Sequence, residues 1–191
     1  MKHILTAVAG LILFLPGIAR GQARPTEFQL MKISPSMITG PDYTYSGAQR
    51  YKTDQRARWL EVEVEFAATP EFTDELTFKY YVLFNGKLLT GEVTHVAIPA
   101  GRELRSVMYV SPRVMARLNN NRVITQNSVQ NITIQILQGG TLKDEMNLTR
   151  APAQWYSQMQ AITGLLLNKN DTPFAPIYWD RYEQIKTSAA R

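Results

Sequence analysis

The stretch LTFKYYVLFNGKLLTGEVTHVAI, residues 76–98, decides how the rest of the chain reads. Leu76, Phe78, Tyr80, Val82 and Phe84 alternate with Thr77, Lys79, Tyr81 and Leu83. A period of two marks a strand with one face buried. Asn85-Gly86 follows, a pair that readily supplies the two positive φ angles of a type I′ turn. The β-rich run Leu88 to Ile98 then completes a hairpin.

Upstream of the hairpin, Trp59 to Phe66 alternates even more plainly. Leu60, Val62, Val64 and Phe66 point one way, and Glu61, Glu63 and Glu65 point the other. Thr26 to Ile33 reads as a first strand that Ser34-Pro35 ends. Residues 36–57 then read as a long loop, with turn formers at Gly40-Pro41-Asp42 and Ser46-Gly47 and a polar, basic stretch from Arg50 to Arg58. Loops of that length are functional or mobile, and Tyr43, Tyr45 and Tyr51 make this one a candidate partner surface. The plainer alternative is that these tyrosines pack the loop onto the sheet.

Downstream, Pro99-Ala100-Gly101 turns the chain into a strand carrying Leu104, Met108 and Val110. Ser111-Pro112 has the form of an N-cap followed by proline at the first helical position, opening a short helix over Arg113 to Leu118 that Asn119-Asn120-Asn121 ends. Ile132, Ile134 and Ile136 mark a sixth strand, and Gly139-Gly140 turns into a seventh with Leu142, Met146 and Leu148. Short strands at regular spacing predict a mainly β fold, an immunoglobulin-like antiparallel sandwich of about seven strands over residues 24–150. Leu60, Val62, Val64, Phe66, Phe78, Tyr80, Val82, Ile132, Ile134 and Ile136 are its expected core. The Cys–Trp–Cys signature of antibody domains is missing, so the expectation concerns architecture alone.

Residues 151–191 change character. Trp155, Met159, Ile162 and Leu166 fall at helical spacing after Pro152, and no charged residue occurs from Ala153 to Asn168. This predicts a C-terminal helix covered on more than one side, since surface helices carry a charged outer face. The tail Thr172 to Tyr182 holds two prolines and the aromatics Phe174, Tyr178, Trp179 and Tyr182. It reads as an extended segment packed on the sandwich, with Trp179 as its anchor and Asp180-Arg181 at the solvent edge. Its four aromatics are the other candidate partner-binding residues.

Composition bounds the function. The chain has 191 residues, 45% hydrophobic and 19% charged, enough for one core. Residues 1–23 have the form of a secretory signal: Lys2, an apolar run from Ile4 to Leu15, the helix breaker Pro16-Gly17, and the small-x-small pattern Gly21-Gln22-Ala23. Its removal takes Lys2 and Arg20 and leaves 19 basic against 16 acidic residues, a net charge of +3 that is too mild and scattered to argue for nucleic acid. No membrane span is expected after that removal. The chain has no cysteine, so disulfides, thiolate zinc sites, cysteine nucleophiles and lipoprotein anchoring are excluded. A disulfide-free exported domain suits a bacterial envelope, periplasmic or secreted.

No catalytic constellation emerges. His95 is the one histidine after the leader, sits in an expected strand, and has no nucleophile-elbow serine beside it in sequence. Glu61, Glu63 and Glu65 could hold a hard cation or act as glycosidase carboxylates. The alternative is a solvated face paired with basic residues, Lys79 being a candidate. No catalytic residue, metal site or cofactor is expected.

The run Pro173-Phe174-Ala175-Pro176-Ile177-Tyr178-Trp179-Asp180-Arg181-Tyr182, after an exported β domain, resembles a group of secreted immunoglobulin-like proteins of Verrucomicrobia-type bacteria encoded near type IV pilus-like assembly genes. The resemblance implies an envelope protein with a pilus-associated or host-facing role and carries over no active site. Two functions follow as expectations: a non-enzymatic exported protein binding envelope or pilus-like proteins, or a carbohydrate-binding or carbohydrate-active domain using the glutamate face.

Overall fold

A computed structural model describes residues 26–43, 57–120 and 124–187. The expected leader, together with Tyr45 and Tyr51, lies outside the described residues. Two long strands carry the architecture: β2 (Arg58–Phe84) and β3 (Lys87–Val110), preceded by β1 (Phe28–Thr39). A straight strand advances ~3.3 Å per residue, so residues 66 and 78 of β2 would stand ~40 Å apart. The rings of Phe66 and Phe78 are instead 4.7 Å apart between centroids. β2 therefore folds back on itself, and register shifts at Phe66/Ala68 and Ala68/Phe72 mark the corner, as bulges do.

β3 turns the same corner, and the result is two layers. In the first, residues 58–68 of β2 lie between β1 and residues 101–110 of β3, and β7 (Leu166–Asn168) pairs beyond. In the second, residues 76–84 of β2 lie between β4 (Val129–Gln138) and residues 87–98 of β3; β5 (Thr141–Asn147) and β6 (Ala161–Thr163) flank them. All pairings are antiparallel except β6, which runs parallel to β3 at Leu88–Thr90. All seven strands read from the sequence are present, but two pairs of them are continuous through the corner. Expected strands one, two and five form one layer, and three, four, six and seven the other, which is the immunoglobulin-like division.

The local reasons hold where turns were expected. Asn85 and Gly86 have φ of 47° and 73°, the type I′ combination. α1 (Pro112–Leu118) is capped by Ser111, whose Oγ accepts from the Val114 amide at 3.4 Å. Every residue of the expected core is buried in one cluster between the layers. A polar pin crosses that core: the Tyr80 hydroxyl donates to Ser106 Oγ at 2.8 Å, and Ser106 Oγ lies 2.7 Å from His95 Nε2.

Three expectations are corrected. Ser34-Pro35 does not end β1, which pairs with β2 as far as Thr39. β1 is an edge strand, where a proline nitrogen can face away from the ladder. The long loop is shorter accordingly. The C-terminal helix does not form over 153–168. Trp155–Gln158 is one 3-10 turn, followed by β6 and β7, with Gly164 at φ 76° between them. Tertiary contacts override the helical spacing: Trp155 Nε1 donates to Thr133 Oγ1 at 2.7 Å, and Tyr156 stacks on Tyr81 at 4.0 Å between centroids. Leu166 instead enters the core over Gly91, where an added Cβ would meet the Leu166 Cβ at 2.7 Å. The tail is not simply extended either. Ala175, Ile177 and Arg181 each donate their amide to the carbonyl three residues back, and only afterwards does the chain extend along β3, with Val96 N bonding to Gln184 O and Lys186 N to Thr94 O.

Candidate interaction surface

The tail forms a third layer over the outer face of the first. Val107 and Tyr109 point outward from β3 yet are 1% and 0% exposed, because Phe174 and Tyr182 cover them. Phe174 stacks on Tyr109 at 4.7 Å and meets Trp59 edge-on at 5.6 Å. Such aromatic pairs add ~0.5–1.5 kcal/mol beyond the burial itself. Lys169, buried at the start of the segment, donates from Nζ to Ala175 O at 2.8 Å and fixes the first turn. Burial pushes its ammonium pKa down. Tyr43, at the end of the described part of the loop, donates its hydroxyl to the carbonyl of Pro173.

Glu63 is the polar centre of this layer. Arg181 grips its carboxylate in a bidentate fork, Nε to Oε2 at 3.0 Å and Nη2 to Oε1 at 3.0 Å. The Tyr182 hydroxyl donates to Oε2 at 2.9 Å, and Arg105 Nε stands 3.6 Å from Oε1. Arg105 Nη2 lies 3.6 Å from Glu65. The hydrogen-bonded fork holds the Arg181 guanidinium firmly protonated. Burial, reinforced by the nearby carboxylates, pushes the Tyr182 and Tyr109 hydroxyls well above the ordinary phenol range. The basic partners of the glutamate row are therefore Arg105 and Arg181, not Lys79, which lies in the other layer. A fork between Glu63 and Arg181, 118 positions apart, had no signal in the sequence.

Glu61 faces a cleft of about 410 Å³ between the end of β1 and the tail, walled by Ile38, Pro41, Phe174, Ile177 and Tyr178. It accepts from the Tyr109 hydroxyl at 3.2 Å. Burial, and after it the Glu63 charge, raise the Glu61 carboxyl pKa above its usual value. Beside the cleft stand Tyr178, 53% exposed and held at φ 55°, and Trp179, 79% exposed. The expectation that Trp179 anchors the tail is corrected: Phe174 and Tyr182 are the anchors, and the indole projects outward. The four aromatics thus divide into two that hold the tail and two that it displays. Asp180 and Arg181 are both exposed as expected, and Arg181 also reaches back onto Glu63.

His95 is fully buried, with Nδ1 2.9 Å from the Glu183 carbonyl and Nε2 beside Ser106. A carbonyl only accepts, so Nδ1 carries the proton and Ser106 donates to Nε2. Burial lowers its pKa to about 4. Ser106 is 0% exposed, so this serine–histidine pair reaches no substrate and serves as a pin between layers and tail. Among the described residues no group of three or more potential metal ligands gathers, and no helix is long and apolar enough to cross a membrane.

Sandwich and tail together define a class: a two-layered β protein wearing its own C-terminal segment as a third layer with an aromatic pair on display. A protein-family model matches residues 19–189, and the chain belongs to that family. A crystal structure of a protein from Akkermansia muciniphila is similar at 22% identity with a TM-score of 0.74, covering 85% of this chain and 94% of that one. That likeness is one of fold. No curated protein matches.

Proposed function

We propose that this is a non-enzymatic exported protein of the bacterial envelope that binds another protein through the tail layer, in a pilus-like or secretion assembly. One observation carries the reading: Tyr178 and Trp179 are among the most exposed large apolar side chains of the described residues, yet they sit on a segment locked by the Glu63 fork and by Phe174. A pre-ordered aromatic pair loses little conformational entropy on binding, and tyrosine and tryptophan are the usual anchors of interface hot spots. Export rests on the leader, and N-terminal sequencing of the envelope form is expected to begin at Arg24.

The carbohydrate-active reading asks for carboxylates free to meet a sugar. Glu63 and Glu65 are occupied by arginines, which favours binding over turnover. The test is capture of partners from envelope extract by the mature chain, set beside Trp179→Ala and a screen on chromogenic glycosides. Loss of a specific partner with Trp179→Ala at unchanged melting temperature supports the proposal. Glycoside turnover abolished by Glu63→Gln overturns it.

A further inference from the structure

The charges beneath the tail do not balance. Glu61, Glu63 and Glu65 share one face of β2, and two guanidiniums answer them, Arg105 between Glu63 and Glu65 and Arg181 on Glu63. Among the described residues no lysine or arginine forms an ion pair with Glu61. The one carboxylate without its own cation is the one that opens on the 410 Å³ cleft. Arg181 stands at the rim, but its Nε and Nη2 are both committed to Glu63. The lining mixes polar groups, Thr39 and Arg181 among them, with an apolar side made by Ile38, Pro41, Phe174 and Ile177; that side suits an alkyl stem, and a tyrosine ring attracts a cation laid over it.

We infer that this cleft takes a lysine side chain of the protein docked on Tyr178 and Trp179, its ammonium on Glu61 and its methylenes along Ile177 and Pro41. A lysine fits better than an arginine. The free anion is a single carboxylate already sharing one oxygen with Tyr109, whereas a guanidinium seeks a planar two-oxygen partner and would crowd Arg181. The inference rests on the tail layer being the docking face, and it adds the chemistry that face recognises: an apolar patch for the indole with a lysine beside it.

The small-molecule arm needs no partner. The mature chain, labelled with 13C at glutamate carboxyls and 15N at amides, is titrated with n-butylammonium and, separately, with n-butanol. Butylammonium is expected to give saturable amide shifts at Ile38 and Tyr178 and to lower the titration midpoint of the Glu61 carboxyl. Butanol and the Glu61→Gln chain are expected to give neither. Equal shifts from butanol, or none that saturate with butylammonium, overturn the inference. Arg50, Lys52 and Arg56 belong to the segment between Tyr43 and Ala57; if changing all three to glutamine raises the Glu61 midpoint in the free chain, the cation is internal and the inference falls. The partner arm separates this inference from the reading beneath it. Both Glu61→Gln and Trp179→Ala are expected to weaken capture, roughly tenfold or more each. Loss with Trp179→Ala alone keeps the docking face and rejects the lysine. Full retention by both variants rejects the docking face itself.

Discussion

The strand run from Trp59 to Phe66 is covered on both of its faces, fully on one and partly on the other, by opposite means. Its inner side chains, Leu60, Val62, Val64 and Phe66, vanish into apolar surface from the facing layer. Its outer side chains are half-covered: a segment more than a hundred residues away meets Glu63 with a guanidinium and a phenol, and Tyr109 of β3 meets Glu61. Alternation sorts side chains into two faces and identifies the apolar one as buried. It is silent on whether the polar face stays wet. The inner contact is non-directional and accepts many apolar side chains of the right volume. The outer contact needs particular donors on particular oxygens. Stability is therefore concentrated on one face and specificity on the other.

The inner face gives the largest expected effect. Phe66 is fully buried against Phe78 at the corner, where both layers and the continuous strand converge. Phe66→Ala is expected to cost ~3–5 kcal/mol, which is much of the ~5–15 kcal/mol that holds a domain folded. Denaturant unfolding of the mature chain measures it. A loss below about 1 kcal/mol would mean that the corner packs loosely and that β2 does not depend on its fold-back.

A second effect links the core to the tail through His95. In the folded chain its pKa lies near 4, against 6.5 when unfolded. Between those values the unfolded chain takes a proton that the folded chain refuses. The histidine contribution to stability is thus fully present above pH 6.5, is lost as pH falls toward 4, and changes no further below. The shift corresponds to about 3 kcal/mol. Glu61 and Glu183, whose carboxyl pKa values burial raises, act in the opposite sense as they protonate. An NMR titration of the imidazole isolates the histidine. Its signals in the folded chain are expected to move by no more than about a tenth of their full shift from pH 7.5 down to 5, and a midpoint near 6.5 would refute the buried pin.

Much of the sandwich was legible in the sequence because its signals are local. Alternation in 59–66 and 76–84, Asn85-Gly86, and Ser111-Pro112 each act within a few residues, and each formed as read. What was missed is long-range. Helical spacing from Trp155 to Leu166 is a weak preference, and it lost to the Tyr81 ring, Thr133 Oγ1 and the vacancy over Gly91, which are reached only once the sheet exists. Strand continuity through the corner was hidden in β3 because Pro99-Ala100-Gly101 reads as a turn. For the candidate site, the sequence pointed to the right segment but not to the roles within it. Composition shows that four aromatics need cover; only the geometry of Val107, Tyr109 and Trp59 selects Phe174 and Tyr182 to receive it.

The outer face is expected to matter less to stability. Glu63→Ala strands the Tyr182 hydroxyl, which is nearly buried, and frees two guanidiniums that are partly open to water and can re-solvate. The cost is expected at ~1–3 kcal/mol, most of it the unsatisfied phenol. Arg181→Ala alone is expected to cost less than Glu63→Ala, because Tyr182 keeps its acceptor. In a double-mutant cycle the two changes are expected to fall short of additivity. Full additivity would show that the fork is ornamental and that Phe174 alone holds the tail.

The smallest expected effect carries the most information about function. Trp179→Ala removes the largest exposed apolar side chain of the described residues, 79% of it in water, while Phe174, Tyr182 and the Glu63 fork stay as they are. Nothing that holds the fold is touched, so the unfolding free energy is expected to move by no more than ~0.5 kcal/mol. Phe174→Ala, five positions earlier, is its control. That change empties the site over Tyr109 and is expected to cost ~3–5 kcal/mol. The two substitutions remove similar apolar groups from one segment, and the ratio of their effects measures how the tail divides its aromatics between holding and display. Near-equal losses would place the indole in contact with the sandwich in solution. The aromatic pair would then be structural, and the case for a docking face would fall with it. A large loss for Phe174→Ala beside none for Trp179→Ala leaves an ordered tryptophan in water with no structural use, which is what a surface awaiting a partner requires.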